Sequence, residues 1–99
     1  MKFYEFYEYE YYALILAEDE ETAILGYEEN VAEIYEDEKD LTPTVITIDK
    51  ALERFLKAKI DNCKTEKDKT VEFYRQVNDF ISGENVERYQ LFLIDGSLF

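Results

Sequence analysis

The chain has 99 residues, 46% of them hydrophobic and 16% aromatic, the length of one domain and enough apolar surface to offset ordering entropy despite 35% charged residues. It holds no histidine and a single cysteine, which removes imidazole acid–base catalysis and thiolate metal clusters, so a non-enzymatic protein that needs no cofactor or metal is expected. With 24 acidic residues against 11 basic and a net charge of −13, direct binding to nucleic acid or to an anionic membrane is disfavoured, and a partner should be basic.

In chain order, Lys2 to Ala17 is rich in Tyr, Phe, Ile and Leu. From Tyr7 the odd positions read Tyr7, Tyr9, Tyr11, Ala13, Ile15 and Ala17 while Glu8, Glu10 and Tyr12 interleave, which is a strand pattern. It becomes apolar on both faces at Ala13 to Leu16, as a central strand does. Lys2 to Phe6 break the phase, which leaves a bend, a bulge or two short strands open near Glu8. Glu18 to Glu21 reads as a turn into a helix with Asp19 as N-cap. At 100° per residue, Ala23, Ile24, Tyr27, Val31, Ile34 and Tyr35 fall on one arc of this helix. Glu21, Glu28, Glu29, Glu33 and Glu36 fall on the opposite arc, with Leu25 among them.

Glu36 to Asp40 ends that helix in charge, Leu41-Thr42-Pro43 connects, and β-branched Thr44 to Ile48 is a short strand. Asp49 is placed to cap a second helix with Leu52, Phe55, Leu56 and Ile60 on one face and Lys50, Arg54 and Lys57 on the other. Asn62 to Lys69 is a polar linker, and a third helix runs to Ser82 with Phe73, Tyr74, Val77, Phe80 and Ile81 on one side and Gly83 at C′. A last strand, Arg88 to Ile94, ends at an Asp95-Gly96 turn signal. The order β-α-β-α-α-β implies an α+β domain over residues 1–99, a two-layer unit in which a sheet of about three strands is covered by about three helices.

Charge is unevenly placed. Residues 1–49 hold fifteen acids against Lys2 and Lys39, a net of 2 − 15 = −13, whereas residues 50–99 hold nine acids and nine bases. Such asymmetry creates a directed field. Two candidate binding surfaces follow: the acidic helix face (Glu21, Leu25, Glu28, Glu29, Glu33, Glu36) and the ribbon of Tyr7, Tyr9 and Tyr11 with Glu8 and Glu10. Arg and Lys stack on tyrosine rings while pairing with carboxylates, which suits the ribbon to a basic partner. The other reading of the ribbon is a strand with tyrosines on one face and protective glutamates on the other.

Other chemistry finds no support. The acid clusters at Glu18 to Glu21 and Glu36 to Asp40 lack the alternation and central glycine of a calcium loop. Gly26, Gly83 and Gly96 are too dispersed for a phosphate loop. Cys63 has no histidine to activate it and no second cysteine to pair with, so a cytoplasmic location is expected. The first ten residues also lack the basic and then apolar layout of a signal peptide.

A short, strongly acidic, aromatic-containing α+β chain resembles the small phage-encoded anti-defence proteins, DNA mimics and anti-CRISPR inhibitors among them; the resemblance is one of composition and is best over residues 1–40. It implies a stoichiometric inhibitor that occupies the basic nucleic-acid groove of its target. Independently, carboxylates at helical i, i+4 spacing lie about 6 Å apart, near the spacing of backbone phosphates. The neutral second half favours a one-sided binder. The expectation is therefore a non-enzymatic acidic protein that blocks the nucleic-acid-binding surface of a basic protein. The alternative is a homodimerising module in which Leu25, Tyr9 and Tyr11 pack on a second copy and acidity serves solubility.

Overall fold

A computed structural model describes residues 1–39, 41–58, 60, 63–83 and 88–94. Two strands open the chain, β1 (Lys2–Phe6) and β2 (Ala13–Ala17), paired antiparallel with Phe3 opposite Leu16, Tyr4 opposite Ile15 and Glu5 opposite Leu14. Residues 7–12, where Tyr and Glu alternate, form the loop of this hairpin and not a strand. A single strand over 2–17 would hold its ends about 50 Å apart. Folding back lets Tyr4, Phe6, Ala13, Ile15 and Ala17 share one buried cluster.

The third strand, β3 (Thr44–Ile46), pairs with the free side of β1, and β4 (Tyr89–Ile94) pairs with β2. The result is a four-stranded antiparallel sheet in the order β3-β1-β2-β4. Leu93 and Leu91 stand opposite Leu14 and Ile15, which makes Phe92 the extra residue of a bulge. Phe92 and Leu93 consequently reach the same core.

Three α-helices lie among the described residues: α1 (Glu20–Asn30), α2 (Ile48–Lys57) and α3 (Glu66–Ile81). The fold is α+β, as expected, but the described strands number four and the order of described elements is β-β-α-β-α-α-β. The layering also differs from expectation. Phe3, Leu14, Leu16 and Phe92 pack with Ala51, Phe55, Phe73, Val77 and Phe80 of α2 and α3. Tyr4, Phe6, Ile15 and Tyr89 pack instead with Ala23 and Tyr27 of α1. Helices therefore cover both faces. The cause is β2, whose Ala-Leu-Ile-Leu-Ala is buried at every position and must be met from both sides.

Local chemistry sets the helix ends. Asp19 caps α1 by accepting from the Thr22 amide at 2.8 Å, and the Thr22 side chain together with this amide holds its carboxyl below the usual range. The helix stops at Asn30, well short of the expected end in Glu36 to Asp40. Asn30 Nδ2 donates to the Gly26 carbonyl at 3.0 Å and to the Tyr89 hydroxyl at 2.9 Å, and Val31 closes the last turn on Tyr27. Val31, Ala32 and Ile34 still pack against the α1-side core, so the apolar rhythm is satisfied without a helix. Thr47, and not Asp49, caps α2 through Lys50 N at 3.2 Å.

Lys69 Nζ terminates α2 by donating to the carbonyls of Leu56 (3.0 Å) and Ala58 (2.7 Å). Thr65 caps α3, which therefore begins inside the stretch expected to be a linker. Gly83 follows its last turn at φ +80°, a left-handed value that favours glycine. The expected Asp95-Gly96 turn lies outside the described residues.

Candidate functional site

The chain crosses the sheet twice, and the two crossings carry different charge. Between β2 and β3 it passes over the α1 side, placing Ala23, Tyr27, Ile34 and Leu41 in that core. Residues 18–39 on this path hold ten acids and one base, a net of 1 − 10 = −9. Between β3 and β4 it passes over the other side, with Phe55 and Phe73 in the opposite core. The described residues among 48–81 hold six acids and seven bases, a net of 7 − 6 = +1. Asymmetry along the sequence thus becomes asymmetry between two faces, which concentrates the field on the α1 side.

On α1, Glu21, Leu25 and Glu28 follow at i, i+4 and i+7 and form one exposed stripe, with Leu25 50% accessible. This stripe lines a shallow groove with Asp19, Thr22, Ile24 and Arg88. Arg88, from just before β4, pairs with Glu18 at 2.8 Å and lies 3.7 Å from Asp19, neutralising the corner where the helix begins. Glu29 is exposed and accepts from the Tyr89 hydroxyl at 3.2 Å. Glu33 and Glu36 do not extend the stripe. Glu33 follows the end of the helix, and Glu36 opens a single 3-10 turn (Glu36–Glu38), where it pairs with Lys39 at 3.3 Å.

The aromatic ribbon divides as well. Tyr7, 73% exposed, and Tyr11, 41% exposed, face solvent with Glu8 and Glu10 in the hairpin loop. Tyr9 is 6% exposed and cannot meet a partner in this state. Its ring packs on Phe6 and Tyr27, and its hydroxyl donates to the Leu41 carbonyl at 2.9 Å. Burial, reinforced by Glu20 and Glu38, pushes its hydroxyl up to about 12.

Glu38 is buried and holds the loop in place, accepting from Glu10 N at 2.7 Å and from Tyr35 N at 3.2 Å. The Tyr27 hydroxyl adds a bond to the Tyr11 carbonyl at 3.0 Å. Glu8, Glu10, Tyr35, Glu38 and Leu41 thereby line an open hollow of about 400 Å³ with three carboxylates and a half-exposed ring. Tyr35 and Glu38 were not legible as members from the sequence, because helical periodicity puts Tyr35 on the buried arc of a longer helix.

A second buried carboxylate lies on the other face. Glu5 is 5% exposed and accepts from Tyr12 Oη at 2.6 Å and from Arg54 Nε at 2.8 Å. Burial and this bond raise the Tyr12 hydroxyl, and the carboxylate raises the Arg54 guanidinium. Glu5, Tyr12 and Arg54 tie α2 to the hairpin. Among the described residues, no group of three or more acidic or cysteine side chains is arranged to hold a metal ion, and no helix is long and apolar enough to cross a membrane.

No curated protein and no solved structure matches the chain. A family model matches residues 1–87, a span that contains β1 through α3 and with them both the acidic stripe and the hollow. The chain therefore belongs to the YosH C-terminal domain family.

Proposed function

We propose that this domain is a non-enzymatic binding module whose α1 side docks on a basic surface of a nucleic-acid-binding protein and blocks it. The observation that carries this reading is the sorting of charge by topology, −9 on the described residues of the crossing over one face and +1 on those of the crossing over the other. A protein that needed acidity only for solubility gains nothing from confining it to one face. The contact would centre on Glu21, Leu25 and Glu28, an apolar residue between two carboxylates, with Tyr7, Tyr11, Glu8 and Glu10 beside it. Exposed carboxylates steer association while the apolar and aromatic groups slow dissociation. The cytoplasmic setting and the likeness to anti-defence inhibitors are part of the same proposal.

The test is capture from nuclease-treated lysate, salt elution and competition with duplex DNA, repeated with Glu21→Lys/Glu28→Lys. A basic nucleic-acid-binding protein that DNA displaces is expected, and association of the doubly reversed protein should slow roughly tenfold at low ionic strength and much less at high salt. An unchanged on-rate with the fold intact, or a captured protein indifferent to DNA, overturns the reading.

A further inference from the structure

The outer edge of β3 has properties that the acidic side does not explain. Residues 41–48, Leu-Thr-Pro-Thr-Val-Ile-Thr-Ile, are the longest run without a charge in a chain that is 35% charged. This run lies at an edge of the sheet, where β3 pairs with β1 alone among the described strands. Edge strands are ordinarily guarded by charge or bent by a bulge. The opposite edge strand, β4, carries the bulge at Phe92, whereas the β3 ladder is regular from Thr44 to Ile46 and Val45 is 52% exposed. A three-residue strand offers few backbone bonds, so anything that pairs with it needs anchors beyond its ends.

Both ends supply one. At the Thr44 end lies the carboxylate hollow of Glu8, Glu10 and Glu38. At the Ile46 end an apolar groove of about 270 Å³ opens among Met1, Ile46, Ile48 and Ile81, where Met1 is 59% and Ile81 60% exposed. The two anchors lie on opposite faces. The hollow shares Leu41 with the α1-side core, and Val45, opposite Tyr4, points to that side. The groove contains Phe3 and Val77 of the α2/α3-side core, and Ile46, opposite Phe3, points there.

We infer that β3 is a docking edge for an extended segment of a basic protein partner, which adds a fifth strand to the sheet. Its Lys or Arg side chain enters the hollow of Glu8, Glu10 and Glu38, and an apolar side chain enters the groove at Met1, Ile48 and Ile81. Because side chains of a strand alternate, the two anchor residues must be an odd number of positions apart. The positive end is fixed by charge complementarity, and a second copy pairing through its own β3 brings the uncharged run 41–48 and no base for the hollow. The inference rests on the proposed function for the sign of the partner and is separable from it by geometry.

The probes are short synthetic peptides with one lysine and one isoleucine at odd or even separation, each also prepared with alternate backbone nitrogens methylated. Binding is read from amide chemical shifts of the protein. Odd spacing is expected to perturb Val45, Ile46 and Ile48, even spacing to bind at least tenfold more weakly, and methylation to abolish binding. Val45→Lys should weaken the odd-spaced peptide tenfold with the melting temperature unchanged; if that variant does not fold, methylation on the unaltered protein carries the test.

Binding indifferent to spacing and methylation, or no binding of any peptide, overturns edge docking and leaves the acidic stripe as the partner surface. A peptide-free dimer abolished by Val45→Lys also overturns it, by showing that the edge serves a second copy. Failure of the proposed function reads out elsewhere, in an on-rate that Glu21→Lys/Glu28→Lys does not change.

Discussion

Gly26 sits in the middle of α1, where an exposed helix would gain about 1 kcal/mol from alanine. The surroundings reverse that sign. A Cβ at Gly26 would stand 2.8 Å from Cδ1, 2.9 Å from Cγ and 3.1 Å from Cε1 of Tyr89. Cγ is one bond from the Cβ of Tyr89 and cannot swing away as a side-chain tip would. The far end of the ring is also held, because its hydroxyl accepts from Asn30 at 2.9 Å and donates to Glu29 at 3.2 Å. Overpacking of this kind costs about 1–3 kcal/mol, and separating α1 from β4 enough to relieve it weakens two hydrogen bonds worth about 1 kcal/mol each. After the helical gain, Gly26→Ala should destabilise the domain by about 1–3 kcal/mol, a fall of roughly 5–15 °C in melting temperature at this size. Urea and thermal unfolding measure it. In a Tyr89→Leu background the same change should cost at least about 1 kcal/mol less, since the obstructing ring is gone. A neutral or stabilising Gly26→Ala would refute the packing argument, and with it the placement of α1 on β4.

Three further outcomes follow from side-chain contacts. Arg54→Met leaves the buried Glu5 carboxylate with Tyr12 alone and should cost about 2 kcal/mol, below the usual figure for a fully buried pair because Arg54 is 35% exposed; denaturation of this variant and of Glu5→Gln/Arg54→Met, which should recover part of the loss, checks it. Since the Tyr9 hydroxyl is raised to about 12 from an unfolded value of about 10, its contribution is complete below about pH 10 and disappears as pH rises toward 12. Tyr9→Phe should therefore lose about 1 kcal/mol at neutral pH with its bond to Leu41, yet show a shallower alkaline decline, read from unfolding free energy and tyrosinate absorbance. Lys69→Met removes both donors that close α2 and should speed amide exchange in its last turn more than in α3; equal acceleration in both helices would sink the capping role.

Much of the fold was legible where local chemistry and burial agree. Asp19 at the start of α1, Gly83 after α3, and Leu52, Phe55, Phe73, Val77 and Phe80 on the inner faces of α2 and α3 stand where pattern and propensity put them, whereas Tyr74 and Ile81, expected on the same face of α3, are exposed. The errors share a cause: a period was read correctly and assigned the wrong backbone. Tyr7 to Tyr12 alternate as a strand does, yet the alternation belongs to a loop pinned by Tyr9, Glu10 and Tyr11 to residues 41, 38 and 27. Val31 and Ile34 continue the helical rhythm of Tyr27 and are partly buried as that rhythm requires, but in irregular chain after Asn30. In both cases partners distant in sequence satisfy the polar groups, and one sequence gives no sign of them. The buried carboxylates Glu5 and Glu38 are the extreme case, indistinguishable by composition from the solvated acids around them. Their partners include Arg54, 49 positions away, and the Glu10 amide, 28 positions away.

The layering decides what the charge can do. Had the three helices covered one face, as the order β-α-β-α-α-β suggested, the acidic crossing and the neutral one would lie side by side in one layer. Lys50, Lys57 and Lys67 would then screen Glu21 and Glu28 across a distance comparable to a Debye length of about 8 Å. Burial of β2 on both faces prevents this, because it draws α1 to one side and α2 with α3 to the other. The change of side occurs at β3, residues 44–46, and the break in charge along the sequence falls at residue 49, one short step later. A division visible only as arithmetic in the sequence is thus converted by five apolar residues, Ala13 to Ala17, into two faces with the sheet between them. The same strand that marks the change of side leaves its outer edge uncharged, so the acidic face and the docking edge meet at the hollow of Glu8, Glu10 and Glu38.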